Sequence, residues 1–529
     1  MAGTQANKHS KWGGLFGLIP LAVWCLFVGA RVHSRICITA DSASYIDCAR
    51  SIFARQGFLV RPWAGLGTNL WEPLAVFPPG YPILISIFMH FSPSAYHAAL
   101  CASLFSAALF ILFMSYICSA RLPQPFGVMV GIAVVSMTAF IYSTAICLSE
   151  SLFMLLMVIS VICIIKAYSG SSRNSWWLFS AGFAGGLAWC TRNVAVALLL
   201  AIFVFVIRRE IGHGIRRTAI ATGQWLAGWV LASSWLVARN LYVFHRMNPY
   251  DMPPSTVSFT QNIYTYLKVV WSDLDGITAH PSRIGLLCLV AAAIGVTIVS
   301  IAIDSRFRDR SPSVRLNHID EFLMTVFVFY TSVIIVARTR YQMDYINSRF
   351  SVPVYWIVLL EGSVLAIAFF QRFKGKVGRL APAFLLAVIP CVQMYYSLAV
   401  YKADRMSSDN GLVKDVLATS QTLRVRMNAG QIVESDIAPS LRIFGDINAR
   451  VLPNIDALSP TVDFISVAQM EKAGAEGRLW GAVIRDRDRL EKGDYGPGIR
   501  DLALAQTARY PHWRIYSLGG LLICEYSSR

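Results

Sequence analysis

The chain is 529 residues long, 55% hydrophobic and only 15% charged, with a mean hydropathy of +0.52. Surface-to-volume geometry limits what a water-soluble core can hide, so this excess excludes an ordinary soluble domain and makes lipid the solvent for much of the surface. The formal net charge is +17, but Lys and Arg fall in short breaks between apolar runs instead of a basic stripe on one face, which argues against a nucleic-acid partner.

A membrane-crossing helix needs about 20 mainly apolar residues. On that rule the sequence predicts eleven spans, near 13–31, 96–119, 127–146, 151–168, 176–191, 194–208, 219–239, 284–304, 320–337, 350–370 and 381–401. The first follows Lys8 and Lys11 and reads as an uncleaved helix that also directs insertion, being long for a signal peptide. The 11 cysteines show no CxxC pair and lie mostly within apolar runs, so no zinc site or disulfide framework is legible.

The loop charges fix an orientation. Arg121, then Lys166 and Arg173, then Arg208, Arg209, Arg216 and Arg217, then Arg306, Arg308, Arg310 and Arg315, and finally Arg372, Lys374, Lys376 and Arg379 occupy alternate connections. With eleven spans, all lie on the side of the N-terminus, and the positive-inside rule makes that side cytoplasmic. The other side receives a long first loop, 32–95, a second segment near 240–283, and the C-terminal tail. That tail carries short β-like runs at Trp480–Ile484, Trp513–Leu518 and Leu521–Tyr526 between Gly, Asp and Pro turns, and reads as a small α/β domain. The expected architecture is an α-helical polytopic membrane protein, with a transmembrane region over 1–402 and an exoplasmic α/β domain over 403–529.

Ionisable residues at the membrane rim are costly and default to functional readings. Asp41 and Glu150 sit at outer helix ends, and so do Arg192, Arg239 and Arg349. Brought together, they would set a carboxylate base opposite guanidinium forks, which suits group transfer from a phosphate-linked donor: the base takes the acceptor proton and the forks bind the departing phosphate. Each has a plainer alternative. Asp41 could N-cap a helix starting near Ser42, Glu150 could be a solvated loop charge, and the arginines could anchor helix ends at headgroups. Asp47, Glu72, Arg55 and Arg61 read as ordinary loop charges, and His245 has no partner at metal-ligand spacing.

The order of several motifs resembles the GT-C superfamily of membrane glycosyltransferases, in particular the bacterial branch related to protein mannosyltransferases and aminoarabinose transferases. The residues that carry the resemblance are Asp41-Ser42-Ala43-Ser44-Tyr45 with Ala49, Pro78-Pro79-Gly80-Tyr81-Pro82, and Ser149-Glu150-Ser151-Leu152-Phe153. Thr191-Arg192-Asn193, Trp235 with Arg239-Asn240, and Ser348-Arg349-Phe350 with Pro353 complete the set. The resemblance implies inverting transfer of a sugar from a polyprenyl-phosphate donor to a glycolipid, polysaccharide or protein acceptor, at the outer face of a bacterial cytoplasmic membrane. It implies Asp41 as general base, Glu150 as a supporting carboxylate, Arg192, Arg239 and Arg349 as donor-phosphate ligands, and Tyr45, Pro79 and Tyr81 as shapers of a loop over the cavity.

Two departures bear on cofactors. Protein mannosyltransferases usually carry Asp-Glu where this chain has Asp41-Ser42, and aminoarabinose transferases carry Glu-Lys before the double proline where it has Val76-Phe77. Metal independence and no cofactor are the expectation, with a divalent metal left open. A transporter or flippase of a polyprenyl-linked substrate is the alternative, although internal symmetry and midplane charges are not legible. A non-enzymatic membrane scaffold would not require the paired carboxylates.

Overall fold

The computed structural model describes residues 10–34, 38–62, 71–123, 126–169, 175–249, 254–275, 318–341, 346–370, 388–395, 397, 410–428, 431–435, 437–451, 467–484, 511–518 and 521–527. The chain divides into two compact units. One comprises Met1–His33, Ala75–Tyr81 and Cys101–Met406, the other Ser34–Leu74, Pro82–Leu100 and Ser407–Arg529.

The membrane-embedded unit is helical. In chain order its helices, and those that lead into them, are α1 (Ser10–Ser34), α2 (Ala40–Phe53), α3 (Gly80–Phe88), α4 (Ala95–Arg121), α5 (Phe126–Val135), α6 (Thr138–Ala145), α7 (Glu150–Tyr168), α8 (Ser175–Trp189), α9 (Val196–Glu210), α10 (Ile215–Phe244), α11 (Phe259–Asp275), α12 (His318–Arg340) and α13 (Ser348–Phe370). Of these, α2 belongs wholly to the second unit. Among the described residues, Ala95–Arg121, Glu150–Tyr168, His318–Arg340 and Ser348–Ala368 are each long and apolar enough to cross a membrane, and α5 with α6 makes a fifth such span, bent by 56°. The protein is a multi-pass membrane protein. The expected span at 284–304, and most of that at 381–401, lie outside the described residues.

The bend in the α5–α6 span has a local cause. Met137 N–H bonds the Val134 carbonyl 3.2 Å away, three residues back, so the ladder tightens and breaks there. Ser397 Oγ donates to the Ser136 carbonyl and lies 3.1 Å from Thr138 Oγ1. Hydroxyls from a neighbouring helix can re-satisfy backbone at membrane depth in this way.

Helices α8 and α10 meet backbone to backbone. A Cβ at Gly182 or Gly186 of α8 would collide with the carbonyls of Trp225 or Trp229, and one at Gly228 of α10 would collide with that of Phe179. Small residues spaced four apart permit this approach where lipid supplies no hydrophobic drive between helices. The contact carries both C-terminal ends, and hence the turn with Arg192 and the stretch with Arg239, to one end of the unit.

The second unit contains α2, a short hairpin of β1 (Leu59–Val60) and β2 (Glu72–Pro73), and a mixed sheet. The long first loop expected at 32–95 is therefore largely folded. Thr39 caps α2 reciprocally with Ser42, a signal short enough to escape a hydropathy reading. The sheet has the order β4-β3-β5-β7-β6, where β3 is Ile432–Ser435, β4 Ala449–Val451, β5 Leu479–Ile484, β6 Trp513–Leu518 and β7 Leu521–Tyr526. The β3–β4 and β3–β5 pairs are parallel, and β5–β7 and β7–β6 antiparallel. Strand β5 is buried throughout: Leu479, Ala482 and Ile484 pack with Met470, while Trp480 and Val483 pack with Val416 and Leu441. A strand covered on both faces reads as a continuous apolar run, which is why it was legible. Burial also pushes the Cys524 thiol of β7 up to about 12.

Candidate active site

Glu150 opens α7 and is fully buried, which corrects its reading as a solvated loop charge. The first turn of a helix favours an anion. Its Oε1 lies 2.8 Å from Arg192 Nη1 and 2.9 Å from Arg349 Nη2, and Arg349 Nε donates to the same oxygen at 2.9 Å. Arg192 Nη1 also donates to Ser149 Oγ at 3.2 Å. Glu150 Oε2 is buried and has no hydrogen-bond partner among the described residues. Leaving a buried oxygen unmatched costs about 1–3 kcal/mol, more when it is charged, so a donor group arriving there would relieve a standing penalty. Two guanidiniums and one carboxylate leave a single net positive charge at this point. The turn before α7 is strained, with Cys147 at φ 58°. A non-glycine residue in that region costs about 1–3 kcal/mol and tends to mark functional sites.

Arg192 is held by what precedes it. The Gly80 N–H donates to the Cys190 carbonyl at 2.7 Å, docking the proline-rich segment on the turn that ends in Arg192. A Cβ at Gly80 would stand 2.5 Å from that carbonyl oxygen, closer than side chains tolerate. Gly80→Ala should therefore displace the turn and cut turnover by about tenfold or more, since small misplacements of a positioning group are costly. Wild-type rates in the purified variant would show that this docking does not set the position of Arg192.

Arg349 lies in the first turn of α13, its N–H bonded to Asn347 Oδ1 at 3.0 Å. Arg239 lies elsewhere in the same unit. It donates to Asn240 Oδ1 at 3.0 Å, sits 5.3 Å over the Phe244 ring, and lines a cavity of about 220 Å³ with Phe77, Pro78, Trp189, Asn193 and Leu236. The structure thus joins Arg192 and Arg349 directly to Glu150. It places Arg239 in a cavity that also receives Asn193, the residue after Arg192. The arginines expected opposite a base are, for two of the three, bonded to a carboxylate.

In the second unit, Asp41 occupies the first turn of α2 and is half-buried. The cap is Thr39, not Asp41, which corrects the capping alternative. Tyr45 and Tyr81 lie on helices α2 and α3, not on a loop, and both are buried with Pro79. Asp47 and Arg61, read as loop charges, form a buried pair: Arg61 Nη2 is 2.5 Å from Asp47 Oδ1 and its Nε 3.0 Å from Oδ2. Arg442, fully buried on α15 (Ala438–Gly445, which follows α14 at Asn410–Arg426), approaches Asp47 Oδ2 at 3.4 Å. It also donates to the carbonyls of Ala449 at 2.5 Å and Arg61 at 2.9 Å, and to that of Pro62. Burial works against the charge of Arg61, but Asp47 and then Asp446 outweigh it and hold its pKa above the ordinary value. For Arg50, burial prevails over the same carboxylates and the pKa falls.

Local sequence gives no sign of this cluster, whose members are almost 400 positions apart. Arg442→Leu should strand three carbonyls and cost about 3 kcal/mol, within the range for breaking a buried pair. Arg442→Lys should not rescue it, because an ammonium cannot reproduce the planar fork. Thermal unfolding of the purified protein measures both. Glu72 and Arg55 are exposed, as read, and His245 is an exposed helix C-cap. Among the described residues, no three His, Cys, Asp or Glu side chains group in a way that could hold a metal.

No protein-family model and no curated protein sequence matches this chain. Solved structures do. ArnT from Cupriavidus metallidurans bound to undecaprenyl phosphate is similar with a TM-score of 0.59 at 12% identity, over 98% of this chain and 99% of that one. The apo oligosaccharyltransferase of Archaeoglobus fulgidus is similar with a TM-score of 0.52 at 10% identity, over 93% of this chain and 71% of the other. At such identities the likeness concerns fold alone: this chain shares the polytopic helical fold of these two proteins.

Proposed function

We propose that this protein is an inverting glycosyltransferase. It moves a sugar from a polyprenyl-phosphate donor to a glycolipid, polysaccharide or protein acceptor at the outer face of the cytoplasmic membrane. The observation that carries the reading is the buried Glu150 carboxylate clamped between Arg192 and Arg349, with one oxygen unmatched. The fold shared with ArnT, whose structure holds undecaprenyl phosphate, supports a lipid-phosphate donor.

In this reading the acceptor hydroxyl gives its proton to Asp41 as its oxygen attacks the anomeric carbon. The bond from that carbon to the phosphate oxygen breaks, and polyprenyl phosphate leaves. Negative charge grows on the departing phosphate, where arginine forks are worth most. Arg192 and Arg349 supply that field, oriented by Glu150, and Arg239 extends it in the neighbouring cavity. Glu150 Oε2 receives a hydroxyl of the sugar or acceptor. Tyr45, Pro79 and Tyr81 act from buried positions, each holding in place the element that carries it. The N-terminus lies in the cytoplasm, and the region 403–529 is an exoplasmic domain, in line with the alternating basic loops.

The test is transfer in liposomes of purified protein, given a polyprenyl-phosphate sugar and no energy source. A glycosylated acceptor with free polyprenyl phosphate is the expected product. Movement of intact donor across the bilayer without cleavage would mean a flippase instead. Within that assay, Arg349→Ala should raise the apparent donor KM by about tenfold, the loss of one charge-assisted contact, and leave the acceptor KM unchanged. An unaltered donor KM would remove Arg349 from phosphate binding.

A further inference from the structure

The end of the membrane unit away from Glu150 holds a second group of charges with no place in the proposed reaction. Arg121, at the end of α4, forks onto Asp320 in the first turn of α12, its Nε 2.5 Å from Oδ1 and its Nη2 bonded to Oδ2. Arg208, near the end of α9, lies 3.1 Å from Glu321. Beside these pairs opens a cavity of about 590 Å³, lined by Arg209, His318, Glu321, Glu361, Met324 and Leu365. Glu361 sits on α13, twelve residues beyond Arg349, or about 18 Å along the helix.

Glu361 is the feature that calls for a ligand. It is 3% exposed and lines the cavity, and its Oε1 is buried with no hydrogen-bond partner among the described residues. The Nε2 of His318 is likewise buried and unmatched. Arg121 is engaged by Asp320, and the Oε1 of Glu361 is left without a hydrogen bond among the described residues. The described residues offer no metal-ligating group here. A buried carboxylate oxygen of this kind is matched by an N–H donor, and best by a cationic one. Arg209 at the mouth adds an anion-binding fork on the same cavity.

The remaining lining residues indicate the source of the ligand. Met324 is 41% exposed and Leu365 52% exposed, and Val328, one turn along α12 from Met324, is 53% exposed. Apolar side chains left open at the rim of a membrane helix face acyl chains. The cavity therefore combines an internal acceptor for an ammonium, a cation for a phosphate, and an apolar outer wall. We propose that it is a binding site for a phospholipid with a primary-amine headgroup, of the phosphatidylethanolamine class: the ammonium donates to Glu361, the phosphate meets Arg209, and the chains lie along Met324 and Leu365. The site is non-catalytic and independent of the sugar-transfer reading.

The experiment follows lipid retained by the full-length protein, purified from bilayers of equal phosphatidylethanolamine, phosphatidylcholine and phosphatidylglycerol, by native mass spectrometry. The ethanolamine lipid should be retained about tenfold over the choline lipid, whose quaternary nitrogen has no N–H to give, as expected for one charge-assisted hydrogen bond. Glu361→Gln should abolish that preference, and Arg209→Gln should weaken retention of both lipids. Stepwise N-methylation of the headgroup tests the same contact with wild-type protein, so a folding defect in either variant leaves the outcome readable: retention should fall when the last N–H is lost. Equal retention of the three lipids, a preference that survives Glu361→Gln, or saturation of the site by soluble phosphoethanolamine at the affinity of the lipid would overturn the proposal.

Discussion

Asp41→Asn should abolish sugar transfer, lowering turnover by about 100- to 10,000-fold, the range supplied by a positioned general base. The carboxamide keeps the shape and much of the hydrogen bonding of the carboxylate but cannot take the acceptor proton. The fold should persist, because α2 draws its cap from Thr39 and Ser42 and its anchorage from Asp47, Arg61 and Arg442. The loss of a negative charge from the first turn of a helix costs only about 0.3–1 kcal/mol. Turnover in liposomes and the unfolding midpoint, measured on one preparation, separate chemistry from stability. Full activity in the variant would remove Asp41 from the mechanism.

Glu150→Gln should lose both activity and stability. The wild-type carboxylate offsets part of the charge of two guanidiniums that are themselves only 17% and 22% exposed. Without it, two like charges remain close together in a largely dehydrated place, and breaking a buried ion pair of this kind costs about 3–5 kcal/mol. Electrostatic groups of this sort also contribute much of the transition-state stabilisation, so a drop of about 100-fold or more is expected in turnover. Glu150→Asp keeps the charge on a shorter arm and should recover stability before it recovers rate. A Gln variant with the wild-type melting midpoint and wild-type turnover would show that the clamp is neither structural nor functional.

Legibility in the sequence followed the range of the interactions. The spans now seen at α4, α7, α12 and α13 were visible because each is a local, one-dimensional run of apolar residues. So were β5, β6 and β7, whose apolar and aromatic runs are bounded by turn residues. Strands β3 and β4, four and three residues long, are too short to leave such a mark. The meeting of Glu150 with Arg192 and Arg349 was suggested by their common placement at outer helix ends, since nothing in the spacing of three residues up to 199 positions apart dictates contact. The cluster on Asp47 had neither aid. Asp47 and Arg61 were read as ordinary loop charges because charge is normally exposed, and only tertiary burial overrides that prior. Helix α2 was legible only as the alternative in which Asp41 caps a helix near Ser42, and the residue that caps it is Thr39.

The glycine-lined contact of α8 with α10 has a mechanical consequence. Two rods that touch through their main chains cannot ratchet past one another, because the next register would drive side chains into carbonyls. They behave as one stiff plank with Arg192 and Arg239 mounted at the same end. Any opening or closing of the bundle must then be accommodated by its other parts, while the gap between these two helix ends stays constant.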